Sequence, residues 1–228
     1  MIVAAISFSA GTTTAVVAYE AGAAPLSVIT TRVTVTMLVV FVLIRGIDRT
    51  FSLPPRDRAL ALAVGLVLAV QSFCHYEAIA LLPVAFAILV MHHYPLLVGL
   101  ISPVLCRERM KPVLGVALVI SLVGLFFALD APGAGLDSFG IALAVGAAMT
   151  FAIVIVANAS IIQRTGRSLL VTFHMNLTAS ATFIVLCAVL GEFPLPASRE
   201  GWIAFAAVSV FYSIGRPSFS VSPCLGRS

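Results

Sequence analysis

An all-α, multi-pass bundle of about eight transmembrane helices is the fold that this sequence predicts. The 228-residue chain is 61% hydrophobic and 10% charged, with a mean hydropathy of +1.15, whereas soluble domains are about 25% charged. Its apolar runs are long and lack the polar stripes of soluble helices. Its cations gather in alternate loops between those runs. We therefore expect the lipid bilayer to surround the chain.

Eight apolar segments follow one another along the chain. Most have the roughly 17–25 residues that an α-helix needs to cross the hydrocarbon core, and the last is shorter. Strands of an outer-membrane barrel would instead be short and alternate in polarity. No Lys or Arg precedes the first segment, so we interpret it as a retained span rather than a signal peptide. The predicted segments are residues 2–19, 26–44, 59–80, 84–105, 113–129, 139–162, 169–190 and 202–214.

The loops between these segments alternate in charge. The loops after the second, fourth and sixth segments hold nine cations, whereas the other loops hold only Arg199. Basic loops of membrane proteins stay in the cytoplasm. The pattern thus predicts a protein of the inner or plasma membrane with its N-terminus in the cytoplasm. The nine cations are Arg45, Arg49, Arg56, Arg58, Arg107, Arg109, Lys111, Arg164 and Arg167.

An internal repeat is indicated at an offset of about 142 residues, at which hydropathy and loop length match. A unit with an odd number of helices, repeated in tandem, enters the membrane from opposite sides. The two copies would then be inverted repeats, a construction common in transporters. We predict a first five-helix repeat over residues 1–130, an incomplete second repeat of three helices over 138–214, and a non-helical tail over 215–228.

Composition excludes several other classes of protein. A nucleic-acid-binding surface needs clustered Lys and Arg residues, and this sequence has no such cluster. The four cysteines form no CxxC pair, and neither an HExxH nor a GxSxG motif occurs. The sequence therefore predicts no metal site, no cofactor and no catalytic residues. An intramembrane enzyme built on the four histidines (His75, His92, His93 and His174) stays an alternative, as does a membrane partner protein that does not transport.

A family resemblance rests on motifs that occur in order over about 130 residues. They are Pro25-Leu26 followed by Arg32, HYEAIA at 75–80, PVA at 83–85, Pro95, CRER at 106–109, and the glycines between 115 and 124. In these motifs the chain resembles the EamA family of the drug/metabolite transporter superfamily. The resemblance implies ten helices in two inverted repeats and the efflux or exchange of small metabolites or drugs. The chain departs from that pattern after residue 214, which predicts a C-terminally truncated copy and puts its activity in question.

Polar side chains within the second and third segments are the first candidates for a binding site. Arg32 lies inside the second segment, where a cation is costly unless it faces protein or water. It could bind an anionic group of a substrate, or it could extend to the head groups or pair with Glu20. Gln71 and His75 share a face of the third segment. Glu77 lies on another side and is a candidate for proton coupling.

The fourth segment supplies the remaining candidates, which precede Pro95. Proline interrupts helical hydrogen bonds and frees carbonyl groups that can line a cavity. His92 and Tyr94 are candidates for substrate binding, and His93 for proton coupling. Because adjacent residues lie about 100° apart on a helix, we expect only one of the two histidines to face the site. A homodimer is a further open possibility, since proteins with an incomplete repeat can pair with a second copy.

Overall fold

The computed structural model describes residues 14–47, 52–91, 93–106 and 137–191, together with helical residues at 116, 120, 123–124, 202–203 and 206–207. Every regular element in these ranges is a helix, and residues 14–20 are also helical. The predicted segments at 113–129 and 202–214 lie almost wholly outside the described residues, as does the basic turn at 107–112. The helices are α1 Pro25–Ile47, α2 Pro55–Leu81, α3 Val84–Met91, α4 Tyr94–Cys106, α5 Ser138–Thr165 and α6 Ser168–Leu190.

Five stretches of the described chain are long and apolar enough to cross a membrane. Four of them are the helices α1, α2, α5 and α6, and the fifth is Val84–Ile101, which combines α3 with most of α4. These stretches match the second, third, fourth, sixth and seventh predicted segments. The predicted all-α fold is thereby confirmed for the described residues, with five stretches that could span a membrane by length and composition. The count of eight helices and the inverted repeat stay predictions.

Proline and glycine set the ends of the helices. Pro25 and Pro55 occupy the first positions of α1 and α2, where a missing N–H costs no helical hydrogen bond. Gly166 ends α5 with a φ of 67°, and its N–H bonds the carbonyl of Ile162. This left-handed conformation suits glycine. Because α6 begins only two residues later, at Ser168, α5 and α6 form a tight antiparallel hairpin.

Helix α2 is the centre of the described bundle, with α5 and α6 packed against it. Helix α1 covers α6 and contacts α2, whereas α3 and α4 pack on α5. The pairing of α2 with α5 is antiparallel. Leu82, just past α2, lies against Gly140 near the start of α5, and Asp57 at the start of α2 bonds Arg164 at the end of α5. The turns after α1 and α5 therefore lie at the same end of the bundle, which we call the basic end.

Small residues allow α5 to approach its neighbours closely. Gly140, Ala144 and Ala148 recur every four positions, as the sequence predicts for a packing face, and all three are buried. A Cβ at Gly140 would lie 2.9 Å from Cγ of Leu82. Large apolar side chains instead point outward, as lipid contact requires. Examples are Val42, Leu66, Val70, Ile120, Ile184 and Val185, all at least half exposed.

The predicted fourth segment, 84–105, is divided in two. Helix α3 ends at Met91 and α4 begins at Tyr94. In a continuous helix the carbonyl of Met91 would accept a hydrogen bond from residue 95, but Pro95 has no N–H. The chain instead forms tighter bonds, from the His93 N–H to the Val90 carbonyl and from the Leu96 N–H to the His93 carbonyl. The effect of Pro95 thus reaches back four residues.

Candidate functional site

A polar cluster joins α1 to α2 inside the bundle. Nη2 of Arg32 donates a hydrogen bond to Oγ of Ser72 at 2.8 Å. The Ser72 hydroxyl in turn donates to Oε1 of Gln71 at 3.5 Å, at the limit of a hydrogen bond. Cζ of Arg32 lies 5.2 Å from the centre of the Tyr76 ring, within the range of a cation–π interaction. We call Arg32, Gln71, Ser72 and Tyr76 the arginine cluster.

The α2 residues of the cluster are shielded from solvent, whereas Arg32 is partly buried. Gln71 is 5% exposed, Ser72 1% and Tyr76 0%. His75 is also buried, and its ring packs edge-on against that of Tyr76 at 5.5 Å. Ser72 and Tyr76 are four residues apart and therefore share the face of α2 that meets α1. The cluster thus contains two sequence-predicted candidates, Arg32 and Gln71, and a third, His75, packs against its Tyr76 ring.

The arginine cluster lies well inside the helices that form it. Arg32 is about 10 Å along the helix axis from Pro25, at 1.5 Å per residue. Ser72 is about 14 Å from the C-terminal residue of α2, Leu81. Both distances are measured from the end of the bundle opposite the basic end, which we call the acidic end. The cluster therefore lies in the half of the bundle nearer the acidic end.

Helices α1 and α6 share a second set of polar contacts. The hydroxyls of Thr34 and Ser180 are 2.7 Å apart, and Oγ1 of Thr30 lies 3.3 Å from Sγ of Cys187. The antiparallel order of these pairs places α1 and α6 side by side over one to two helical turns. None of these residues is a candidate in the sequence prediction. Their spacing of four on α1 is a signal that could have indicated them.

The candidates from the fourth segment lie at the α3–α4 break, on α5 rather than at the arginine cluster. The Tyr94 ring packs against Phe151 of α5, with centroids 4.8 Å apart. Nδ1 of His93 lies 2.9 Å from the carbonyl oxygen of Leu89. His92 lies outside the described residues. The contacts described for Tyr94 and His93 are thus with α5 and α3, whereas those described for Arg32 are with α2.

Glu77 lies near the C-terminal end of α2 and is partly buried. It follows Tyr76, so its side chain leaves α2 about 100° around the helix from the ring that Arg32 contacts. Glu20 is exposed, and the guanidinium of Arg32 is directed to Ser72 and Tyr76 on α2. Glu77 is thus next to Tyr76 in the sequence, but its side chain lies on a different side of α2.

Charge is divided between the two ends of the bundle. The basic end holds most of the described cations, two of which bridge to other elements. Arg164 of α5 donates through Nε and Nη2 to Oδ1 of Asp57, at 3.1 and 2.9 Å, and Nη1 of Arg167 donates to the Ser52 carbonyl at 2.9 Å. The acidic end carries carboxylates instead. The side chains concerned are Arg45, Arg56, Arg58, Arg164 and Arg167 at the basic end, and Glu20, Glu77 and Asp137 at or near the acidic end.

Polar residues of α5 and α6 bond mostly within their own helices. Nδ1 of His174 lies 2.8 Å from the Leu170 carbonyl, and Nδ2 of Asn176 donates to the Thr172 carbonyl at 2.7 Å. In the described residues, Oδ1 of Asn158 is buried and accepts no hydrogen bond. Within the same part of the chain, no three His, Cys, Asp or Glu side chains are grouped so that they could hold a metal ion.

Comparison with protein families identifies the fold. The model of the EamA-like transporter family matches residues 1–129, more than half of the chain. The chain belongs to the EamA-like transporter family. The match includes α1, α2 and the α3–α4 break, and so all the sequence-predicted site residues. The resemblance inferred from the motifs is thereby confirmed, and membership assigns the chain to a family of membrane transporters.

A solved crystal structure, described only as that of a protein, shares the architecture of this EamA-like chain. The similarity covers 93% of this chain and 77% of the other, with a TM-score of 0.62 and 23% sequence identity. At that identity the comparison supports the fold alone. No curated protein matches the sequence. Helices α5 and α6 lie beyond the family match but within the part of the chain that the structural similarity spans.

Proposed function

We propose that this EamA-like protein is a secondary transporter that moves small metabolites or drugs across the cell membrane by efflux or exchange. The observation that carries the proposal is the hydrogen bond between Arg32 and Ser72 inside two membrane-spanning helices. A charged group at that depth is costly in lipid and is retained where it lines a pathway or binds a ligand. The arginine cluster and His75 form the substrate site, and His92 and Tyr94 stay candidates for substrate binding from the sequence.

The orientation follows from the two ends of the bundle. The turns after α1 and α5 both carry arginines and are joined through Asp57–Arg164 and Ser52–Arg167. Since basic loops are retained in the cytoplasm, the basic end is cytoplasmic. Residues 14–20 precede α1 at its acidic end, so a first span over the predicted residues 2–19 would begin on the cytoplasmic side. The arginine cluster then occupies the outer half of the bilayer.

Proton coupling is assigned to His93 and Glu77. A carbonyl oxygen only accepts hydrogen bonds, so the 2.9 Å contact with Leu89 requires that Nδ1 of His93 carry a proton. Glu77 carries the second titratable group and lies near the acidic end of α2. A proton taken up by one of these two side chains and released by the other would cross the membrane in exchange for substrate.

Transport by the full chain in proteoliposomes tests this proposal. Radiolabelled metabolites and drugs would be loaded into the proteoliposomes, and their movement across the membrane would be measured under an imposed pH gradient. Liposomes without protein are the blank. We expect flux of at least one compound, reduced at least tenfold by Ser72→Ala. Thr150→Val is the matched control, because the Thr150 hydroxyl bonds only carbonyls of its own helix, those of Gly146 and Ala147. Absence of flux across a broad panel would count against a transport function.

The coupling residues are tested in the same assay. Glu77→Gln and His93→Gln remove the titratable groups with little change in size. We expect both variants to keep exchange of substrate for substrate but to lose accumulation driven by the pH gradient. If accumulation persists in both variants, the assignment of His93 and Glu77 to coupling is wrong.

A further inference from the structure

We propose that the outward face of α2 binds a single anionic phospholipid at the basic end of the bundle. Arg56 holds the phosphodiester of the head group, and the apolar side chains that follow it on the same face pack against an acyl chain. Such a lipid site is separate from the proposed substrate site and does not require transport. Its evidence is the helical register of this face, the length of the face, and the contacts of the arginines at the basic end.

One face of α2 points away from the rest of the bundle. It contains Leu60, Ala63, Leu66 and Val70, which are all exposed although they lie within a membrane-spanning helix. These residues follow one another at intervals of three or four, so they form a continuous stripe along the helix. Arg56, which is also exposed, precedes Leu60 by four residues and therefore begins the same stripe. We call these five residues the α2 stripe.

The apolar part of the α2 stripe has the length of one leaflet. From Leu60 to Val70 it spans about 15 Å of helix at 1.5 Å per residue, and the hydrocarbon core of a bilayer is about 30 Å thick. Arg56 lies about 6 Å further toward the basic end. From that position a long arginine side chain extends its charge into the head-group region while its stem stays on apolar surface. The stripe thus matches a phospholipid in both charge and length.

The arginines of the basic end differ in their contacts. Arg164 donates two hydrogen bonds to Asp57, whereas Arg56 and Arg58 form no hydrogen bond or ion pair with another residue of the described part of the chain. Asp57 is the carboxylate next to Arg56 in the sequence, but it leaves α2 about 100° around the helix and is bound by Arg164. The Arg56 guanidinium is therefore available to an anion from the membrane.

A phosphodiester suits the Arg56 side chain best. It carries one negative charge shared by two oxygens, and a planar guanidinium can donate to two oxygens at once. Phosphatidylglycerol has this charge, whereas in phosphatidylcholine a quaternary ammonium group on the same molecule balances the phosphate. Inorganic phosphate offers the charge without acyl chains. These three probes therefore separate the contribution of the head-group charge from that of the acyl chains.

Native mass spectrometry of the full chain in neutral detergent measures the binding of single lipid molecules. Phosphatidylglycerol and phosphatidylcholine with the same acyl chains are titrated in turn. We expect phosphatidylglycerol to bind about fivefold more tightly, which is the factor that one cation near an anionic surface contributes. Arg56→Gln should remove this preference. Arg56→Lys should keep part of it, because the charge remains while the planar fork is lost.

Arg58→Gln is the matched control for Arg56→Gln. Arg58 is exposed at the same end of the bundle but leaves α2 about 200° around the helix from Arg56. Its loss should therefore leave the lipid preference unchanged. Both arginines are exposed, so we expect neither variant to lower the melting temperature, which is measured in the same detergent. An excess of inorganic phosphate should not displace the bound lipid, since phosphate lacks the acyl chain that packs on the α2 stripe.

Each of the other outcomes would overturn a part of the proposal. Equal binding of phosphatidylglycerol and phosphatidylcholine to the unmodified protein would show that the site does not select an anionic head group. Retention of the preference in Arg56→Gln, or its equal loss in Arg56→Gln and Arg58→Gln, would overturn the assignment to Arg56. Displacement of the lipid by inorganic phosphate would overturn the contribution of the apolar stripe and identify a free anion as the ligand.

Discussion

Gly65 of α2 and Met175 of α6 approach so closely that a Cβ built on Gly65 would lie 2.5 Å from the carbonyl oxygen of Met175. The same Cβ would lie 2.8 Å from Cβ of Thr178. Both distances are shorter than ordinary contacts between such atoms. Since the first obstacle is backbone, a side-chain rotation cannot relieve it. Helix α6 therefore packs on α2 at a distance that only glycine at position 65 permits.

Gly65→Ala is expected to destabilise the protein. The added methyl group must push α2 and α6 apart, and overpacking of this kind costs about 1–3 kcal/mol. The gain in helix propensity from alanine, about 1 kcal/mol, offsets part of that cost. Thermal unfolding of the detergent-solubilised protein measures the net effect.

Gly146→Ala is the matched control for Gly65→Ala. Gly146 lies inside α5, and a Cβ built there meets nothing within 4 Å. Alanine should therefore leave stability unchanged or raise it by up to about 1 kcal/mol through helix propensity alone. Equal melting temperatures for Gly65→Ala and Gly146→Ala would show that the close approach of α2 and α6 is not present in the protein.

Thr30→Cys is expected to form a disulfide with the native Cys187. Oγ1 of Thr30 lies 3.3 Å from Sγ of Cys187, so the new sulfur would be close to the native one. The test uses a chain in which Cys74, Cys106 and Cys224 are alanine. After mild oxidation, free thiols are labelled with maleimide–polyethylene glycol, which slows the protein on a gel. A protein with the disulfide has no free thiol and shows no shift.

Thr31→Cys in the same background controls for random collision of thiols. Residue 31 leaves α1 about 100° around the helix from residue 30. We expect its thiol to stay free under the same oxidation. Equal cross-linking at positions 30 and 31 would contradict the packing of α1 on α6.

The ion pair between Asp57 and Arg164 is expected to contribute modestly to stability. The side chains are 14% and 48% exposed, and pairs with this much solvent contact contribute about 0.2–1 kcal/mol. A double-mutant cycle with Asp57→Asn and Arg164→Gln isolates the coupling, which should shrink in high salt. Arg58→Gln, a neighbouring exposed cation on α2, should show no coupling to Asp57→Asn. A coupling that high salt leaves unchanged would mean that the pair is not electrostatic in origin.

Ser52 and Ser138 mark the two ends of the bundle, and both are exposed. With the basic end in the cytoplasm, Ser138→Cys should react with a membrane-impermeant maleimide in intact cells, whereas Ser52→Cys should react only after lysis. The two variants form a matched pair in a background without native cysteines. The reverse pattern would invert the proposed orientation.

The spans and the basic loops could be predicted from the sequence because hydropathy and charge are local properties. Four predicted segments correspond closely to α1, α2, α5 and α6. The interruption of the fourth segment was expected from Pro95, but its position was not. Pro95 lies at the second position of α4, and the break precedes it, because the carbonyl that loses its donor belongs to Met91, four residues earlier.

The partners of the candidate residues could not be predicted to the same extent. Arg32 is conspicuous in the sequence, yet nothing local indicates whether Glu20, a head group or another helix binds it. The contact with Ser72 depends on how α1 crosses α2, which is a property of packing. The same is true of Thr34 and Ser180, which are ordinary threonine and serine residues until α6 folds against α1.

The division of the fourth segment also bears on how the chain enters the membrane during synthesis. Helix α3 has 8 residues and α4 has 13, which is about 12 Å and about 20 Å of helix, so neither crosses the bilayer alone. The break between them packs on α5, which the ribosome makes later. Until α5 is made, the break lacks the helix on which it packs in the folded chain. The final packing of this region therefore follows the synthesis of a helix that lies beyond the family-matched part of the chain.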